Sequence, residues 1–481
     1  MAFKRFGRDV AVYGGTDLLF RLAQFIALPL YAFHLSIADF GVLALLTVSG
    51  TLLGMLLNLG VNNAVQRFYY DAGTRETERP LLVSTGLAQL LLSGTLVVGI
   101  ALVVLYGLRD EIRAEYGIAW ALVLITLLTV LPDQIAQYCL DAVRLQFAPL
   151  KFCAIAIVKN LLGVLLGLWF LLAWDMGVAG LLLGPLVSAA LAAPLGLLMI
   201  RRDLVLRVDP AIVRRVFHFG YPYMLAGAAY WAFGSIDRWM LIELSDLEQL
   251  GLFSIAFKLT TALTFVIAAF AQAWSPIAYK MTAEEPRYRD YFSRILSTWF
   301  FALALLGLAL GLFAPELLRL LTPPQYWGAA PMLAIGAAGI VLYGTTLITA
   351  MGVSLEKRTM LLSLSAWLAA VANLLINLFL IPRFGGVGAA VATFLSYVVL
   401  TGSLLYWSQK LHPLPLEHAK LAYCCGVVAL ILAAAGAVEM EVSAARIAVK
   451  VALLLAVVAG AFAVRLLSPA LYRQLRLQLA G

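Results

Sequence analysis

Apolar residues run along this chain in blocks of about twenty, with polar residues collected in the short breaks between them. Blocks of that length suit bilayer-crossing helices, and they predict spans at 10–33, 41–62, 81–106, 118–140, 150–173, 177–199, 218–242, 251–274, 291–313, 329–353, 360–381, 386–407, 418–438 and 444–466. The breaks "YDAGTRETERP", "SPIAYKMTAEEPRYRD", "LTPPQYWG" and "HPLPLEH" carry turn and interface residues. None of the breaks is long enough for a soluble domain. The predicted fold class is an all-α polytopic membrane protein with about 14 transmembrane helices.

Composition agrees. The 481 residues are 63% hydrophobic and 12% charged, with mean hydropathy +0.95. A soluble domain is about half apolar and roughly a quarter charged. The net charge of +8 could point to nucleic acid, but its distribution does not. Counting those at span ends with the adjoining loop, 24 of the 34 Lys and Arg fall in the N-terminus and alternate loops, six in the opposite loops and four deep inside spans. That asymmetry is the positive-inside pattern and predicts both termini in the cytoplasm. The start, "MAFKRFGRDVAVYGG", leads into a long apolar run with no small-residue cleavage site, which reads as an uncleaved first helix. Cys139, Cys153, Cys424 and Cys425 lie in or beside apolar runs without CxxC spacing, as small hydrophobes rather than a disulfide framework or metal site.

The chain repeats itself. "GVAGLLLGPLVS" at 177–188 aligns with "GGVGAAVATFLS" at 385–396, "FGR" at 6–8 with "FGY" at 219–221, and "DFGVLAL" at 39–45 with "QLGLFSI" at 249–255. Six helices per unit preserve orientation, so the halves read as parallel repeats around a central cavity. The domains predicted are 1–205 (helices 1–6), 206–410 (helices 7–12) and 411–481 (helices 13–14 and a cytoplasmic tail).

An ionisable residue inside a span costs roughly 2.5–3.5 kcal/mol on insertion scales, so each one calls for a reason. Asp17 and Arg21 are four apart on the first helix, on one face with Gln24 nearby. They read either as a structural ion pair or as a cavity lining, with Arg21 about 16 Å deep. Lys159, followed by Asn160, sits about 14 Å in, and a partner must come from another helix or from a ligand. Snorkelling and cavity lining are balanced for it. Lys258 lies about 10 Å deep and reads as snorkelling. Asp237 and Arg238 are adjacent near the outer end of the seventh span and point about 100° apart, so they need not pair with each other. Against the four cations, the acids counted are Asp17 and Asp237, an excess that suits an anionic passenger such as a phosphate or pyrophosphate group. HExxH, nucleophile-elbow and P-loop patterns are absent, and no catalytic residue, metal site or cofactor is predicted.

Three stretches carry a resemblance: "LNLGVNNAVQRFYYD" at 57–71, "SIDRWMLIELSDLEQLGLFSIAFKL" at 235–259, and "IPRFGGVGAAVATFLSY" at 381–397 with Pro382, Gly385, Gly388 and Thr393. Together they resemble the multidrug/oligosaccharidyl-lipid/polysaccharide flippase superfamily, in its O-antigen-type branch, along essentially the whole chain. The resemblance implies a multi-pass protein of the bacterial inner membrane. It would move polyprenyl-pyrophosphate-linked oligosaccharide from the cytoplasmic to the periplasmic leaflet by alternating access, for O-antigen, capsule or exopolysaccharide synthesis. The glycan polymerase machinery would be a partner, and nucleic acid would not. It also implies cavity roles for Arg21, Lys159, Arg238 and Lys258, with Asp17, Gln24, Asn160 and Asp237 as polar or ion-pairing neighbours. A lipid II flippase would carry more cavity arginines in its first two helices, and this chain has Arg21 alone there.

Two alternatives stand beside this reading. A cation-coupled multidrug exporter of the same superfamily would want acids facing the cavity. A membrane-embedded glycan polymerase or ligase would want a sizeable outer loop with catalytic groups, whereas "LRDEIRAEYG" and "TPPQYWGAAP" are short.

Overall fold

In the computed structural model all regular structure among the described residues is helical. The structure describes residues 2–70, 76–356, 358, 360–437 and 443–466; the side chains of 2–14, 17, 18, 226, 229, 230, 275, 276 and 283 lie outside the described set. Packing divides the chain into two units, Met1–Arg238 and Trp239–Gly481. That boundary falls inside a helix.

The first unit holds α1 (Ala2–His34), α2 (Ile37–Asn58), α3 (Val61–Tyr69), α4 (Arg79–Gly107), α5 (Arg109–Tyr116), α6 (Trp120–Leu145), α7 (Pro149–Ala156), α8 (Leu162–Trp174), α9 (Gly177–Ile200) and most of α10 (Pro210–Leu244). Ser36 starts α2 with a capping box: its hydroxyl accepts from the Asp39 N–H, and the Asp39 carboxylate accepts from the Ser36 N–H. The same helix stops because Leu59 (φ 50°) and Gly60 (φ 73°) are both left-handed. A Cβ on Gly60 would lie 2.1 Å from the Gly220 carbonyl of α10, so only glycine lets these backbones touch. α8 and α9 also meet backbone to backbone, for a Cβ on Gly184 would fall 2.3 Å from the Gly167 nitrogen. Between α7 and α8 the helix widens into a π-turn at Ile157–Leu161, where the Leu162 N–H reaches the Ile157 carbonyl. The core of this unit includes Leu57, Leu90, Tyr138, Ile155 and Ile200.

The second unit holds the end of α10 and α11 (Leu247–Glu284), α12 (Tyr288–Leu312), α13 (Ala314–Leu321), α14 (Ala330–Thr349), α15 (Met351–Leu355), α16 (Met360–Leu411), α17 (His418–Gly436) and α18 (Ala444–Ala463). Asp246 caps α11 by accepting from the Gln249 N–H at 2.7 Å. α16 is 52 residues long because it joins two predicted spans across a kink at Gly385 (φ 52°, ψ −131°), just after Pro382. Gln249 Oε1 accepts from the Gly386 N–H at 3.0 Å, satisfying a donor at that kink. Phe300, Leu303, Val341 and Ile431 form part of this unit's core. Cys139 and Cys424 are buried as small hydrophobes, whereas Cys425 is exposed.

Eleven helices among the described residues are long and apolar enough to cross a membrane. The predicted fourteen differs from this count in three places. α16 counts once for two spans, the described apolar stretch of α1 is the shorter Leu19–His34, and α10 is not among the eleven. The polytopic all-α class holds.

Candidate functional site

The first unit carries a polar stripe inside otherwise apolar helices. On α6, Asp133, Gln137 and Asp141 recur every fourth residue and so share one face. Lys159 reaches this face from the π-turn: its Nζ lies 3.0 Å from Asp133 Oδ1 and donates to Gln137 Oε1 at 3.2 Å. The Lys159 side chain is 10% exposed and that of Asp133 37%. Lys159 is held by an acid on another helix, one of the two sources open to its partner, the other being a ligand.

Further along the stripe, Asn62 Nδ2 donates to Asp141 Oδ2 at 2.7 Å, and Asp141 Oδ1 lies 3.8 Å from Arg144 Nη1. Asn58 Nδ2 bridges to Asn62 Oδ1 at 3.0 Å and to Gln134 Oε1 at 3.2 Å. The stripe therefore links the end of α2, the start of α3, the length of α6 and the π-turn. Buried polar groups are tolerated when paired in this way. The π-turn interrupts the regular helical ladder, and the Ser188 hydroxyl of α9, itself fully buried, donates to the Lys159 carbonyl at 2.9 Å. Hydroxyl and ion pair together fix Lys159 at both its backbone and its ammonium.

Asp133 corrects the inventory of intramembrane acids. It lies within the predicted span 118–140, so Asp17 and Asp237 are not the only ones, and cations exceed acids four to three rather than four to two. The signal was present in "PDQIAQYCLD", where acid, amide and acid recur at helical spacing.

The remaining candidates divide between the units. Arg21 and Gln24 are exposed on α1, a helix that packs against α7, the π-turn and α8. The Asp17 side chain lies outside the described set. Asn160 is half-buried in the π-turn. On α10, Asp237 is buried at 2% exposure, while Arg238 Nη1 donates back to the Gly234 carbonyl at 2.9 Å. Those two neighbours thus face different surroundings. Lys258 is half-buried on α11, in the second unit. That unit also buries an amide pair absent from the sequence reading, Asn377 Nδ2 donating to Asn373 Oδ1 at 2.9 Å on α16. Among the described residues no group of three His, Cys, Asp or Glu could hold a metal ion.

Residues 6–282 match the model of a family described as polysaccharide biosynthesis protein. An uncharacterised membrane protein of Methanocaldococcus jannaschii is 23% identical over 219 residues, 43% of this chain; the chain spans 41% of that relative's length. Among solved structures, the fold is similar to the lipid II flippase MurJ in an inward closed conformation, with TM-score 0.70 and 13% identity over 94% of this chain and 98% of that one. An inward-facing multidrug resistance MATE family transporter of the MOP superfamily gives TM-score 0.63 and 14% identity over 81% and 94% of the two chains. A MOP superfamily transporter from Pyrococcus furiosus, described as having a binding pocket of reverse polarity, gives 0.52 and 14% over 85% and 95%.

Proposed function

The chain belongs to the polysaccharide biosynthesis protein family, and from that premise we propose that it is a flippase for polyprenyl-pyrophosphate-linked oligosaccharide. It carries its substrate from the cytoplasmic to the periplasmic leaflet of the inner membrane by alternating access, in the synthesis of a surface polysaccharide such as O-antigen, capsule or exopolysaccharide. Both termini lie in the cytoplasm, and the glycan polymerase machinery receives the product. The chain moves its substrate without making or breaking a covalent bond.

The observation that carries this reading is Lys159, a cation held deep in a membrane span by an ion pair and a serine-anchored π-turn. Fixing an ammonium there at a cost of a few kcal/mol makes sense for a passenger with an anionic group. Arg21, on the helix packed against the π-turn, adds a second positive charge for the same group. The test is a strain lacking this chain, in which labelled lipid-linked sugar is followed across the membrane. Loss of periplasmic product is the expected result, and product at wild-type rates would sink the reading.

A cation-coupled exporter of organic cations is the second reading, and Asp133 is what favours it. An acid on the stripe could hold an organic cation. Drug accumulation in the same strain separates the two, since only the exporter reading expects it to rise.

A further inference from the structure

We propose that the Lys159–Asp133 pair is an exchange element: an anionic oxygen of the substrate replaces the Asp133 carboxylate on Lys159, and the released carboxylate takes up one proton from solution. The inference rests on the reading of this chain as a carrier of a lipid-linked diphosphate.

The geometry makes the two ligands of Lys159 competitors. An ammonium has three donors, and two are committed to Asp133 Oδ1 and Gln137 Oε1. A diphosphate arriving while Asp133 stays ionised would set two anions on one cation, and like charges repel strongly at low dielectric. Of the pair, Lys159 is the fixed member. Its side chain is nearly covered, and Ser188 holds its carbonyl. Asp133 is the more exposed member and has Lys159 as its ionic partner. The carboxylate is therefore the ligand that gives way. Once the lysine's charge is met by phosphate, a bare carboxylate at membrane depth loses its counter-charge, and such a group neutralises by binding a proton. The charge balances: Lys⁺ with Asp⁻ becomes Lys⁺ with a phosphate oxygen and a neutral carboxyl, the proton coming from water.

Among the described residues no other group near α6 takes over this role. α9 brings no titratable residue. α2 and α4 bring theirs only at helix ends, Asp39 on the one and Arg79 and Tyr106 on the other. α3 brings Arg67 and Tyr69, and α7 brings Lys151, bonded to the Met199 carbonyl, and Cys153, against Thr16 of α1. α1, packed on the π-turn, contributes Arg21, Tyr31 and, at its end, His34 on the Leu30 carbonyl, while the side chains of Lys4, Arg5, Arg8, Asp9, Tyr13 and Asp17 lie outside the described set. On α6 itself, Tyr138 donates to the Val83 carbonyl, Cys139 is buried, and Asp141 is compensated by Asn62 and Arg144. Lys159 also acts on Asp141 from a distance, but Asp133 is the acid that pairs with it directly.

The test uses the full chain purified in detergent, with geranyl diphosphate as probe. Calorimetric titrations at about pH 8, in buffers of different ionisation enthalpy, count the protons taken up per molecule bound. The wild type is expected to take up about one proton more than Asp133→Asn, and its affinity to fall about tenfold per pH unit over the range where that proton binds. Asp133→Asn is expected to bind at least about tenfold more tightly at about pH 8, with the slope lost. Equal proton counts in the two proteins would overturn the exchange while leaving the carrier reading in place. A wild type that binds no geranyl diphosphate at any pH would instead remove the carrier reading. If Asp133→Asn does not fold, the wild-type count decides alone, because at about pH 8 the free diphosphate has already shed its protons; no net uptake then refutes the exchange.

Discussion

At the residue scale the polar stripe behaves as one connected set, and its members differ in how much rests on them. Removing one partner of a buried ion pair costs about 3–5 kcal/mol, because the survivor is left uncompensated. Asp133 is more than a third exposed, so Lys159→Ala should fall below that range, at about 1–3 kcal/mol, while Asp133→Ala strands the better-buried ammonium and should cost more. Lys159→Met combined with Asp133→Leu should recover most of the loss. Thermal unfolding of the purified proteins checks this, and a double variant no better than either single one would show that the pair does more than balance charge. Lys159 and its need for a partner, from another helix or from a ligand, were legible in the sequence. Asp133 was equally legible, at helical spacing from Gln137 and Asp141, but it falls in a span whose apolar average hides it. That these two particular charges meet at 3.0 Å could not be read, since it depends on how α6 packs across the π-turn.

At the element scale the helices are set by a few backbone approaches. Gly184→Ala should push α9 off α8, because its new methyl would lie 2.3 Å from the Gly167 nitrogen, and folded protein should drop sharply in a membrane-extraction assay. Gly99→Ala, with nothing within 4 Å of its new methyl, should leave the yield unchanged. At the α16 kink, Gly385→Ala should cost about 1–3 kcal/mol for its positive-φ backbone alone, and more where it meets Gln249. A lowered unfolding midpoint checks this. The glycines that align between 177–188 and 385–396 thus share two physical bases: a positive-φ backbone at Gly177 and Gly385, and close contact at Gly180 and Gly388. The π-turn had no readable signal, since "IVKNL" has the composition of any apolar helix with one lysine.

At the scale of the whole molecule, apolar periodicity and charge asymmetry sufficed for the class, an all-α polytopic membrane protein, because a bilayer admits few ways to satisfy a backbone. They did not reveal that the predicted spans 360–381 and 386–407 join into one kinked helix. Topology follows from the same asymmetry, and reporter fusions after residue 466 and in the 109–117 connection should report opposite sides of the membrane, the former cytoplasmic. In the strain lacking this chain, Lys159→Ala should restore less than about a tenth of periplasmic product at normal protein levels, by loss of one charge-assisted contact of about 1.5–3 kcal/mol. Full restoration would take Lys159 out of the transport path.

The π-turn also bears on how this chain is compared with its relatives. An extra residue within one turn shifts everything after it by about 100° relative to a straight helix. In a relative whose fifth span is uninterrupted, a gapless alignment would therefore place the wrong column opposite the α6 acid. Lysine and acid must be matched by facing direction, with a one-residue gap at 157–161, before the presence or absence of the pair says anything about shared chemistry.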